Sequence, residues 1–77
     1  MKRYKIRVDT HSDIQDFVKI AKGFTPGSLD VEDKCGHSID PASLLGMLYT
    51  AEWEETYLYS IDEDEKVYSS FAEYIVG

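Results

Sequence analysis

The sequence has one cysteine, Cys35, among its 77 residues. An internal disulfide is therefore excluded, and a lone thiol fits a reducing cytoplasm. No apolar run approaches the roughly 18 residues that a membrane-spanning helix needs. The opening Met1-Lys2-Arg3-Tyr4-Lys5-Ile6-Arg7 carries charges with no apolar core after them, so a signal peptide is not expected. Bases are scarce, with eight Lys and Arg against fifteen Asp and Glu for a net charge of −7. Nucleic-acid binding depends on neutralising phosphates with basic side chains, and this balance speaks against it. Repeats and low-complexity tracts are missing as well.

What is present is a hydrophobic fraction of 43% and an aromatic fraction of 13%, too high for a disordered tail. A chain this short buries about 60% of the surface it exposes when unfolded, so residues 1–77 are expected to form one domain with one small core. The charge is uneven. Residues 1–24 hold six bases against three acids, whereas residues 25–77 hold two bases against twelve acids. Such a split fits either solvated outer faces or a bipolar surface that steers a partner into one orientation.

Tyr4, Ile6 and Val8 alternate with Arg3, Lys5 and Arg7, the period of two of a half-buried strand with a basic outer face. Ile14, Phe17, Val18 and Ala21 then follow the i, i+3, i+4, i+7 spacing of one helical stripe. Ser12 with Gln15 and Thr10 with Asp13 compete to cap this helix. Lys19 and Lys22 suit its last turn, and Gly23 can supply a left-handed terminating residue. Beyond Pro26-Gly27, Leu29 and Val31 alternate with acids in a second strand. Cys35-Gly36 reads as a hairpin turn before a short return strand at about residues 37–40. A helix of two to three turns fits over residues 42–49, capped by Ser43 or Asp40.

Residues 53–61 read as the last strand, with its inward face open between Tyr57, Tyr59 and Ile61 on one side and Leu58 on the other. Asp62-Glu63-Asp64-Glu65 places carboxylates at the start of a closing helix, whose apolar stripe is Val67, Phe71, Tyr74 and Ile75. The order β-α-β-β-α-β-α predicts an α+β fold, an open-faced β-sandwich of four mainly antiparallel strands with three helices on one face.

This order, with Phe17-Val18-Lys19-Ile20-Ala21-Lys22-Gly23-Phe24-Thr25 and the weaker match over Cys35-Gly36-His37-Ser38-Ile39-Asp40-Pro41-Ala42-Ser43-Leu44-Leu45, resembles HPr, the histidine-containing phosphocarrier family of the bacterial sugar phosphotransferase system. The resemblance implies a histidine at the N-terminus of the first helix that takes a phosphoryl group from enzyme I and passes it to enzyme IIA proteins. A helix N-terminus stabilises such a phosphate through its free N–H groups and dipole. The family's His-x-Arg-Pro motif adds an arginine to neutralise the charge.

Here, counting back from Phe17, the histidine's place is taken by Thr10, the arginine's by Ser12 and the proline's by Asp13. His11 falls one residue late, and Asp13 and Asp16 bring negative charge where a phosphate needs positive charge. The expectation is an HPr-like regulatory or adaptor module in a bacterial cytoplasm, non-enzymatic and without a cofactor. Its partners are expected to be proteins, such as those of the phosphotransferase system, with no nucleic acid and no membrane. One alternative is a phosphocarrier using a shifted His11, with Arg7 or Lys5 replacing the arginine. Another is a small-molecule-binding or dimerising α+β domain unrelated to phosphotransfer.

The resemblance also makes Ser43 a candidate regulatory phosphorylation site and Leu44, Met47 and Leu48 a candidate docking patch. A metal is not expected, since Cys35 and His37 offer two ligands where zinc needs three or four. Asp62 to Glu65 lacks calcium-loop spacing. Tyr49, Trp53, Tyr57, Tyr59, Tyr68 and Tyr74 are candidates for an aromatic binding patch.

Overall fold

A computed structural model describes residues 2–61 and 64–76. The alternation at the start becomes β1 (Lys2–Ile6), with Ile6 buried and Arg3 and Lys5 exposed on the opposite side. The apolar stripe becomes α1 (His11–Lys22), and Ile14, Phe17, Val18 and Ala21 are all buried. Gly23 closes that helix in a right-handed conformation (φ −78°), so the expected left-handed cap is not used. Positive φ occurs instead at Gly27 (84°) and Gly36 (92°), the glycines of the two turns. Between these turns lies β2 (Leu29–Asp33), and after the second comes β3 (Ser38–Ile39).

The next helix, α2 (Leu44–Tyr49), has six residues and is extended by a single 3-10 turn, Thr50–Glu52. The last strand, β4 (Thr56–Ser60), starts three residues later than its composition suggests. The reason lies in its neighbours. Ile6 at the end of β1 and Asp33 at the end of β2 both pair with Thr56, so residues 53–55 have no strand to bond. The final helix is α3 (Asp64–Phe71).

The sheet order is β1-β4-β2-β3, antiparallel throughout. Leu58 and Ser60 of β4 point into the core, while Tyr57 and Tyr59 lie on the open face opposite Lys5 and Arg3. Ile61 falls outside the strand and is exposed. This resolves the ambiguity of the Tyr57-Leu58-Tyr59 run. Paired residues share a face, so the basic outer residues of β1 set the phase of β4.

Ile6, Leu29, Val31 and Leu58 form the floor of one core with Phe17 and Val18 from α1, Met47 from α2, and Val67 and Phe71 from α3. The helices therefore lie together against one face of the sheet. Phe17 meets Phe71 at 4.7 Å and Tyr74 at 5.4 Å between ring centroids, and Phe24 stacks on Phe71 at 5.6 Å. After α3 the chain runs along the outer side of β1. The Arg7 N–H donates to the Tyr74 carbonyl at 2.8 Å and the Val76 N–H to the Lys5 carbonyl at 2.9 Å. Among the described residues, no helix is long and apolar enough to cross a membrane.

The inward face of β4 is testable by truncation. Leu58→Ala is expected to lower unfolding stability by about 2–5 kcal/mol, through lost burial and a residual cavity. Ile61→Ala is expected to stay within about 0.5 kcal/mol. Urea denaturation followed by circular dichroism measures both, and the reverse ranking would refute the assigned phase.

Candidate functional site

The N-terminus of α1 is closed by its own sequence. Thr10 takes an extended conformation (φ −112°, ψ 162°) and acts as the N-cap, its hydroxyl accepting from the Asp13 N–H at 3.0 Å. Its carbonyl accepts from Ile14 at 2.9 Å. Thr10, and not Ser12, therefore starts the helix. His11 occupies the first helical position with its ring exposed.

The cations that could neutralise a phosphate there have other partners. Arg7 Nε donates to the Asp9 carboxylate at 3.1 Å, and Lys5 Nζ lies 3.7 Å from Glu55. Asp13 stands in the first turn. The negative field of this region reaches Tyr74, whose phenol is pushed above its ordinary value by burial and then by Glu73, Asp16 and Asp13.

Beside this mouth a cleft of about 470 Å³ opens between the end of β1 and the start of β4, bounded by Arg7, Asp9, Trp53, Glu55 and Val76 among others. Its charges have partners within the chain. Besides the Arg7–Asp9 and Lys5–Glu55 pairs, Glu54 is held by Lys34. Glu55 also accepts from the Tyr57 hydroxyl at 2.8 Å, which holds its carboxyl below the ordinary carboxylate range and raises the phenol. Sequence reasoning did not find this cleft. The available signal was Trp53 standing directly before Glu54-Glu55.

A second feature lies on α2. Ser43 is its N-cap, with a half-buried hydroxyl that accepts from the Gly46 N–H at 3.2 Å. Met47, expected at the docking surface, is fully buried in the core. One residue advances a helix by about 100°. Counted from Met47, Leu45 and Tyr49 consequently fall about 160° to either side and point away from the core, while Leu48 at about 100° and Leu44 at about 60° flank them. Leu44, Leu45, Leu48 and Tyr49 are exposed to 45, 69, 38 and 61% respectively. Leu45 and Tyr49 join the expected Leu44 and Leu48, and a shallow groove bounded by Leu45, Leu48, Tyr49 and Glu52 crosses them.

The hairpin turn between β2 and β3 is organised by Asp33. Its carboxylate accepts from the Cys35 N–H at 2.9 Å, the His37 N–H at 2.8 Å and His37 Nδ1 at 2.8 Å. Cys35 is exposed. Among the described residues, no group of three His, Cys, Asp or Glu side chains is placed to hold a metal ion. Asp62 and Glu63 of the acidic run lie outside the described residues.

The aromatic residues do not form the single patch that composition suggested. Tyr57 and Tyr59 stand on the open sheet face, Tyr49 is on α2, Tyr68 packs on Tyr4 and Tyr74 is buried. Compared with protein-family models, curated proteins and solved structures, the chain finds no match in any of the three.

Thr10→Ala removes a cap hydroxyl and is expected to cost about 1 kcal/mol, whereas Ser12→Ala stays within about 0.5 kcal/mol. Urea midpoints read the difference, and equal effects would refute the cap assignment. At Asp33, burial by itself would raise the carboxyl. The hydrogen bonds from the His37 ring and the His37 and Cys35 amides outweigh it and hold the group below its ordinary value. Stability from this turn is thus full above the unfolded aspartate value of about 3.9 and fades as pH falls through the lower folded value. A carbon-13 titration of the Asp33 carboxyl is expected to give a midpoint below the ordinary aspartate value of about 3.9. A midpoint above that value contradicts the turn's role.

Proposed function

We propose that this chain is an HPr-like, protein-binding regulatory or adaptor module that acts in a bacterial cytoplasm and is not a phosphocarrier. The observation that carries this reading is the outward arc of α2. Four large apolar side chains are exposed together on six residues, an arrangement that costs solvation unless a partner covers it. Glu52 borders the groove, and the chain from residue 25 onward is strongly acidic. The matching partner surface is an apolar patch with a basic rim. At the start of α1, a Thr10 hydroxyl on the Asp13 amide and an Arg7 held by Asp9 speak for docking without phosphotransfer.

The resemblance to HPr nominates enzyme I as the partner to try. Incubated with phosphoenolpyruvate and enzyme I, the chain is expected to gain no acid-labile phosphate. It is expected instead to bind enzyme I and to slow phosphotransfer to genuine HPr competitively. Leu45→Lys is expected to abolish that competition with an unchanged melting temperature. Phosphate that appears on the wild type and is lost in His11→Ala refutes the reading in favour of a shifted-site carrier. Absence of any binding to enzyme I refutes it outright.

A further inference from the structure

The face of the sheet turned away from the helices bears an ordered charge pattern. In the register of the strands, Arg3 of β1 lies opposite Tyr59 of β4, which lies opposite Asp30 of β2. In the next outward-facing row Lys5 lies opposite Tyr57, which lies opposite Glu32. Each row therefore reads cation, tyrosine, carboxylate across the sheet, and both rows have the same sense. The tyrosines form a half-buried ridge, with the Arg3 guanidinium 3.7 Å from the Tyr57 ring centroid and 5.7 Å from that of Tyr59. A hollow of about 140 Å³ bounded by Asp30, Glu32, Tyr59 and Ile61, among others, lies on the acidic flank.

We infer that this face binds a second copy of the chain, through a two-fold axis parallel to β4. Rotation about that axis exchanges the β1 and β2 flanks and keeps each row at its own level. Arg3 of one copy then meets Asp30 of its partner, Lys5 faces Glu32 and exchanges its own chain's Glu55, 3.7 Å away, for it, and the tyrosine ridges pack against each other between them. Each pair occurs twice, as an isologous contact requires. The strands of the two sheets remain aligned, the ordinary geometry of face-to-face sheet packing.

The other two-fold that brings the faces together lies in the same plane but perpendicular to the strands. It sets β1 on β1 and β2 on β2, cation on cation and carboxylate on carboxylate. The pattern thus selects one orientation and disfavours the alternative.

Three five-residue strands cover roughly 17 by 14 Å, about a third of the roughly 800 Å² per partner of a standard interface, so the association is weak and reversible. Buried tyrosine surface supplies the attraction. The four ion pairs supply orientation, and because they sit at an accessible rim the dimer weakens as salt screens them.

The test is charge exchange read by sedimentation velocity. Wild type is expected to dimerise with rising concentration at low ionic strength and to dissociate at high ionic strength. Arg3→Glu sets a glutamate against the partner's Asp30, and Asp30→Arg sets two arginines together. Each variant alone is expected to weaken dimerisation at least about tenfold. An equimolar mixture of the two restores it, because each cross-pair is then again opposite in charge.

Circular dichroism confirms that the variants fold, and Lys5→Glu with Glu32→Lys provides a second, independent exchange. Leu45→Lys on the α2 face is expected to leave the dimer intact. A wild type that stays monomeric to millimolar concentration, a dimer insensitive to the reversals, a mixture that fails to rescue, or loss of the dimer in Leu45→Lys overturns the inference.

Discussion

Strand β4 is hydrogen-bonded on both sides, to β1 and to β2, and its alternation decides what each face of the protein can be. With a side-chain period of two, burying Leu58 and Ser60 obliges Tyr57 and Tyr59 to stand on the other side. A slip of one residue would bury both tyrosines and expel the leucine. The core depends on this choice, because Leu58 joins Val31 and Ile6 in the floor on which Phe17, Met47 and Phe71 pack. A domain of this size has no second core to compensate.

The elements that read most directly from the sequence are those whose neighbours add no information. The stripe Ile14, Phe17, Val18, Ala21 becomes the buried face of α1 as spaced. The alternation of Arg3 to Ile6 likewise becomes β1. Gly36 takes the positive φ that its hairpin position requires. Where a decision belongs to the partner element, local pattern is insufficient. Tyr57-Leu58-Tyr59 is apolar on both phases, and only its pairing with β1 separates them. Residues 53–55 have strand-like composition but no strand beside them. In α2, Leu44, Leu45, Met47 and Leu48 are chemically alike, so sequence cannot say which of them the core receives. The core takes Met47.

The two helix starts show how the same local chemistry leads to different surfaces. Thr10 and Ser43 each place a side-chain oxygen on the amide three residues on, which removes a donor that an external anion would otherwise use. At α1 the neighbourhood is charged, and its cations Arg7 and Lys5 are committed to Asp9 and Glu55. At α2 the neighbourhood is apolar and open. Of the candidate residues, Thr10, His11 and Ser43 stand at the two helix starts. Their caps and pairings arise from contacts that a list of residue types does not contain.

The segment that follows α3 has an effect beyond closing the chain. By bonding the Lys5 carbonyl and the Arg7 amide through Val76 and Tyr74, it occupies, at the end of β1, groups that an extended peptide would otherwise read. At the opposite margin β3 has two residues, too few to template a long ladder. With one margin capped at its end and the other short, the length of edge open to fibril growth or strand addition is reduced. The flat side of the sheet and the helices are then the larger surfaces open to other macromolecules.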